Sequence, residues 1–161
     1  MGKGKKVKAP PPEGILPIAD NRRARHDFDI IDTYEAGLVL VGTEVKSLRA
    51  RQVNFSDSYA ILKDGEVYIL GLNITQFKFG THANHEPDRT RKLLLHDKQI
   101  RKLFRATKEL GYTLVPLKLY FKKGWAKILI GVAKGRTKVD KRHELKRKDA
   151  QREMARAMRK H

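Results

Sequence analysis

A small antiparallel β-barrel with two or three flanking α-helices and a basic tail is the fold the sequence predicts, and three observations carry it. Short β-type runs recur along the middle of the chain with turn dipeptides between them. Too few helical patterns lie among them to cover the two faces of a parallel sheet. The last stretch, residues 134–161, holds 12 basic and four acidic residues, no Phe, Tyr, Trp or Ile, and one Leu, Leu145. It cannot bury enough surface to offset roughly 1–2 kcal/mol of backbone entropy per residue, so it should be disordered when free. With 161 residues, 40% of them hydrophobic, the chain can build one core between unfolded ends.

In chain order, residues 1–20 carry Lys, Pro and Gly with few apolar residues before Ile15, and read as a flexible basic leader. Residues 21–133 are the expected barrel. Phe28, Ile30, Thr33 and Tyr34 alternate loosely with Asp29 and Asp32, and Leu38–Val41 continues the β pattern after an Ala36-Gly37 bend. Gly42-Thr43 opens a short helix to about Ala50, with Thr43 as N-cap and Val45 and Leu48 inward. Tyr59–Leu62 and Val67–Leu70 flank Lys63-Asp64-Gly65-Glu66, whose Asp-Gly pair suits a two-residue type I′ hairpin. Residues 78–91 are polar and read as a long exposed loop. A helix follows, capped by Asp97, with Ile100, Leu103, Phe104 and Leu110 on one face and Gly111 as its stop. Tyr112–Phe121 and Trp125–Ala133 form a last strand pair around Lys122-Lys123-Gly124, where Pro116 marks an edge or a bulge. Short antiparallel strands at this spacing suggest a closed or partly closed barrel of the oligonucleotide-binding kind. The tail, residues 134–161, could become helical on a partner, because Glu144 and Lys148 are an i,i+4 pair and Ala150, Met154, Ala157 and Met158 form a narrow stripe.

The net charge of +18 is concentrated at the two ends of the chain. A polyanion is the expected partner, and nucleic acid fits better than membrane because no long amphipathic helix combines Lys/Arg with Trp, Phe and Leu. The basic N-terminus lacks an apolar segment of the secretory kind, which points to the cytoplasm. Absence of cysteine excludes disulfides, thiolate catalysis and Cys-ligated zinc. His82-x-x-His85 is the nearest histidine pair and lacks a third well-spaced ligand, so neither a metal nor another cofactor is expected. No phosphate loop, nucleophile elbow or His-Glu-x-x-His occurs, and the chain is not expected to be an enzyme.

Candidate RNA contacts are clearer. Asn21, Arg22, Arg23, Arg25 and His26 put three guanidiniums, an amide and an imidazole into six residues, a set able to fork onto phosphates and stack on a base. Arg89, Arg91 and Lys92 add cationic surface. Glu35 would repel phosphate but can accept from a base amino group.

Read together, Asn21-Arg-Arg-Ala-Arg-His26, Tyr34-Glu-Ala-Gly-Leu38, Gly42-Thr-Glu-Val-Lys-Ser-Leu-Arg-Ala50, Asp57-Ser-Tyr59, Arg89-Thr-Arg-Lys-Leu-Leu-Leu95, Gly131-Val-Ala-Lys-Gly135 and Asp140-Lys-Arg142 resemble the bacterial small protein B family, SmpB. The resemblance runs from about residue 21 to the end. It implies an RNA-binding adaptor of trans-translation, bound to the tRNA-like domain of transfer-messenger RNA (tmRNA) and reaching elongation factor Tu indirectly, through the alanylated RNA. It implies a tail that enters the decoding centre and empty message channel of stalled ribosomes and folds there. By position it assigns Asn21, His26 and Glu35 to the RNA-facing surface, with Thr43, Glu44, Lys46 and Arg49 on the helix beside it and Leu94 in a further block. Gly135, Lys138, Asp140, Lys141 and Arg142 fall at the start of the ribosome-engaging tail, and Met158 near its end. Val139 stands where some members place an aromatic residue or His, so this chain carries no ring to stack from that position. The reading from another class is a ribosomal protein or assembly factor that binds ribosomal RNA.

Overall fold

The computed structural model describes residues 13–80, 82–135 and 138–158. The side chains of Lys138, Val139, Asp140, Lys141, His143 and Glu144 lie outside the described set, as do the first 12 residues of the expected leader.

Six strands close a barrel. They are β2 (Phe28–Leu38), β4 (Tyr59–Lys63), β5 (Glu66–Leu70), β7 (Arg91–Leu94), β8 (Thr113–Lys122) and β9 (Trp125–Gly135), while β3 (Val53–Asn54) and β6 (Asn73–Ile74) pair separately. Every pairing is antiparallel, and the order β8-β4-β5-β7-β2-β9 returns to β8. Closure leaves almost no free sheet edge, which removes the hazard of an exposed strand. The expected hairpin is present: Asp64 and Gly65 both take positive φ, 51° and 74°, as a type I′ turn requires. Pro116 also acts as expected, since the β8–β9 register shifts between Pro116 and Lys118. Val115 and Leu117 face a second, smaller apolar cluster with Ala24 and Ala133, and the extra residue returns Leu119 and Phe121 to the main core that Leu114 enters.

Three expectations about strands and loops are corrected. Residues Ile15–Asp20 are strand β1, not leader: they pair with Lys118–Lys122 of β8 and bury Ile18. A six-residue strand containing Pro17 has too weak a local pattern to be read alone, and the β8 edge supplies its hydrogen bonds. There is no bend at Ala36-Gly37, since β2 runs unbroken through both and its irregularity lies between Ile30 and Asp32. Loop 78–91 is not wholly exposed, for His85 and Arg91 are buried.

Among the described residues four α-helices accompany the sheet: α1 (Arg22–Asp27), α2 (Gly42–Arg49), α3 (Asp97–Phe104) and α4 (Lys138–Met158). Thr43 does not cap α2, because Val41 occupies the N-cap position. Asp97 does not cap α3 either; His96 does, and its backbone N–H donates to Gln99 Oε1 at 3.1 Å. Beyond Phe104 the helix loosens into a π-helical turn, Arg105–Glu109, and the chain reverses at Gly111, φ +69°. Leu48 of α2 and Leu103 of α3 are fully buried in the main core with Ile69, Ile74, Leu93 and Ile128. The described side chains of α4 are all exposed.

Candidate nucleic-acid interface

Strand alternation decides which residues share the barrel's outer face. In β2, Ala36 and Leu38 point into the core, so Glu35 and Gly37 point out. Across the sheet Glu35 pairs with Leu129 and Gly37 with Lys127 in β9, and Lys127 pairs with Tyr120 in β8. Gly37 also pairs with Leu94 of β7. A Cβ on Gly37 would lie 3.2 Å from Leu94 Cβ, so the glycine gives Leu94 room to lie across the strand, 54% exposed.

The Glu35 carboxylate is held at that surface. Oε2 accepts a hydrogen bond from the Tyr120 hydroxyl at 2.5 Å, and Lys122 Nζ lies 3.3 Å from Oε1. The Tyr120 hydroxyl, with Lys122 and Lys127 behind it, holds the Glu35 carboxyl below the usual carboxylate range. Glu35 is therefore a fixed acceptor at neutral pH, framed by cations. Burial and the bond to Glu35 push the Tyr120 phenol well above its ordinary value, so it stays a donor.

Leu129 links this patch to α1, since it packs, as Phe28 and Ile30 do, against the Ala24–Val115–Leu117–Ala133 cluster under that helix. Asn21 is the N-cap of α1: its Oδ1 accepts from Ala24 N at 3.1 Å and its Nδ2 donates to Pro116 O at 2.8 Å. It fastens the helix to β8 with both ends of its amide. Arg22 and Arg23 are exposed beside it, along a cleft of about 750 Å³ bounded also by Asn54, Phe55 and Tyr59. Arg25 reaches Asp20 at 3.1 Å, and His26 Nδ1 lies 3.1 Å from Asp27 Oδ1.

Two residues expected at the RNA surface are buried instead. Glu44 and Arg91 are fully buried and bound to one another, Arg91 Nε to Glu44 Oε2, at 2.9 Å. Arg91 also donates to the carbonyls of Leu72, Arg89 and Pro87, and Arg89 closes on Glu44 Oε1 at 2.7 Å. Burial opposes ionisation of Glu44, but the Arg89 and Arg91 guanidiniums more than offset it and hold its carboxyl below the usual range. This network locks α2 to the segment 72–91. Thr43 belongs to the same lock. His85 Nε2 donates to Ile74 O at 2.8 Å, which leaves Nδ1 to accept from the Thr43 hydroxyl at 2.9 Å. With both ring nitrogens engaged, His85 is no partner for His82 in a metal site. On α2 the outward residues are Lys46 and Arg49, which lie over the rings of Phe77 and Phe121 at 5.3 and 6.0 Å. Sequence reading missed Tyr120, Lys122 and Lys127 as the frame of Glu35, although the Lys118-x-Tyr120-x-Lys122 alternation already put Tyr120 and Lys122 on one face.

A closed antiparallel barrel with a cation-rich outer face, joined to a separate basic helix, defines a polyanion-binding module. The SmpB protein family model matches residues 18–160, from β1 through the tail, and the chain belongs to that family. It is 57% identical to the "SsrA-binding protein" of Bacillus pumilus over 142 residues, 88% of this chain and 91% of that one. The likeness to the "SsrA-binding protein" of Salinispora arenicola is 55%, over 92% of this chain and 93% of the relative. Among solved structures, one described as "tmRNA-SmpB: a journey to the center of the bacterial ribosome" superposes with a TM-score of 0.66 at 48% identity. The superposition covers 81% of this chain and 95% of that one. Among the described residues, no helix is long and apolar enough to cross a membrane.

Proposed function

We propose that this chain is the RNA-binding adaptor of trans-translation: its barrel holds the tRNA-like domain of tmRNA, and its tail engages the decoding centre and empty message channel of stalled ribosomes. The observation that carries the reading is that one family match spans both the barrel face and the tail. Glu35 and Leu94 form the centre of the RNA surface, with Arg22, Arg23, Arg25 and His26 to one side and Lys46 and Arg49 on α2. Asn21 acts by positioning α1, whereas Thr43, Glu44 and Arg91 act by holding α2 in place.

The tail, entered through Gly135, is a conditional helix. Lys138, Asp140, Lys141 and Arg142 open it and Met158 lies at its far end, 82% exposed. A helix without a buried face gains its order from whatever it lies against, which suits a segment that reports whether a channel is empty. The protein works in the cytoplasm as an adaptor, not a catalyst, and meets elongation factor Tu only through the alanylated RNA.

The test separates the two ends. Truncation after Gly135 leaves tmRNA binding nearly intact and abolishes alanine-tagging of stalled chains. Glu35→Ala weakens tmRNA binding by about 1–3 kcal/mol, the value of a direct base contact. Full tagging by the truncated chain refutes the role of the tail, and unchanged affinity in Glu35→Ala refutes the role of the face.

A further inference from the structure

Beyond α2 stands a loop whose construction the barrel does not explain. Phe79 is 77% exposed, yet the chain around it is firmly tied. The Asn84 side chain spans the loop: its Oδ1 accepts from Phe77 N and His85 N, each at 3.2 Å, and its Nδ2 donates to Phe77 O at 2.9 Å. Gly80 N donates to the same carbonyl at 2.9 Å, and Gln76 Nε2 donates to His85 O at 3.0 Å. A Cβ on Gly80 would fall 2.5 Å from Asn84 Nδ2, so only glycine fits against the clamp. Behind the clamp, buried His85 bonds Ile74 and Thr43 and so ties the loop to the barrel and to α2.

The loop thus holds an apolar ring in water, where burial contributes nothing. The ring packs edge-on against Phe77 at 5.7 Å, with Lys78 Nζ 5.8 Å from its centroid, and Lys46 of α2 lies 5.3 Å over Phe77. Ammonium groups beside an open aromatic face combine a phosphate contact with a stacking surface, the pairing used on unpaired nucleotides. A protein partner would need a carboxylate beside an apolar group to use both the cations and the ring, whereas a nucleotide carries its phosphate and its flat base in one unit. The loop is also tied through the interior to the interface already described. Leu94 and Arg91 share β7, Arg91 binds Glu44 of α2, and α2 carries Lys46 to Phe77.

We infer that the Phe77–Gly80 loop is a preorganised stacking platform for an unpaired base of the same RNA that the barrel face holds, with Phe79 stacking and Lys78 and Lys46 pairing with the flanking phosphates. The inference rests on the reading of this chain as a tmRNA-binding protein. It extends the footprint from the sheet across α2 to a loop.

The experiment measures affinity of the full chain for a tmRNA tRNA-like-domain transcript. Phe79→Ala and Phe79→Leu each lose about tenfold, the usual worth of one base–aromatic stack, while Phe79→Trp retains wild-type affinity. Equal loss in Ala and Leu separates stacking from simple apolar contact, and the exposure of Phe79 leaves the melting temperature unchanged. Asn84→Ala, which unclamps the loop without touching the ring, loses affinity in the same direction. Unchanged affinity in Phe79→Ala, with Glu35→Ala still defective, overturns the platform and leaves the barrel reading standing; a ribosomal RNA or protein partner for the loop falls under that outcome. Failure of the wild-type chain to bind the transcript overturns both.

Discussion

Arg91 shows how far a residue's type is from its role. In sequence it is one cation in Arg89-Thr90-Arg91-Lys92, indistinguishable from a phosphate ligand, but in the fold it is 0% exposed and opposite Glu44. Its removal leaves the buried Glu44 carboxylate to Arg89 alone and takes the donor away from the carbonyls of Leu72, Arg89 and Pro87. Arg91→Ala therefore costs about 3–5 kcal/mol in urea unfolding, far beyond any surface arginine. The same network sets an acid limit. Because the folded-state pKa of Glu44 is depressed, its contribution is fully present above the unfolded value, about 4.3, and is lost as pH falls through the lower folded value. Acid titration of stability followed by tyrosine and tryptophan fluorescence shows this loss, and Glu44→Gln flattens it. Asn21 makes the complementary point. Its amide is occupied by Ala24 and Pro116, so Asn21→Ala costs about 1 kcal/mol of thermal stability as a lost helix cap, and any effect on RNA follows from α1.

At the scale of elements, β8 is the piece on which the rest is assembled. One edge is divided between β1, along Lys118–Lys122, and β4, at Leu114, while the other pairs with β9 throughout. The bulge after Pro116 lets one strand face two apolar clusters. Gly131 of β9 lies against it, where an added Cβ would come within 2.9 Å of Leu117 Cδ1. Gly131→Ala overpacks that cluster by about 1–3 kcal/mol and loosens α1, measurable as lowered melting temperature with faster amide exchange in Arg22–Asp27. Gly37→Ala acts on the neighbouring seam with a different result. It displaces Leu94 and so weakens tmRNA binding while leaving the core intact, as affinity and unfolding measured on one sample show.

For the whole molecule, charge and fold are segregated. The tail carries 12 of the 36 basic residues but no described buried side chain, and the barrel carries the framed acceptor at Glu35. Truncation after Gly135 lowers affinity for unrelated RNA and reduces the salt slope by about 0.7–0.9 for each phosphate that the tail neutralises, yet preserves the Glu35-dependent preference for tmRNA. Circular dichroism of a peptide spanning residues 134–161 shows little helix in plain buffer, because one i,i+4 pair and a narrow apolar stripe do not stabilise an isolated helix. A stable helix there contradicts the conditional role of the tail.

Periodicity, turn chemistry and charge placement determined the antiparallel barrel, the Asp64-Gly65 hairpin, the helix ahead of Gly111 and the polyanion-binding character. Each of these depends on residues within a few positions of one another, where sequence speaks directly. Tertiary structure alone decided that β1 belongs to the sheet, that Glu44 and Arg91 are a buried lock, and that Tyr120 and Lys122 frame Glu35. The side-chain pairs among these join residues 47, 85 and 87 positions apart, in the cases of Arg91–Glu44, Tyr120–Glu35 and Lys122–Glu35. The free energy of such pairs depends on which groups barrel closure removes from water, and no local pattern records that choice.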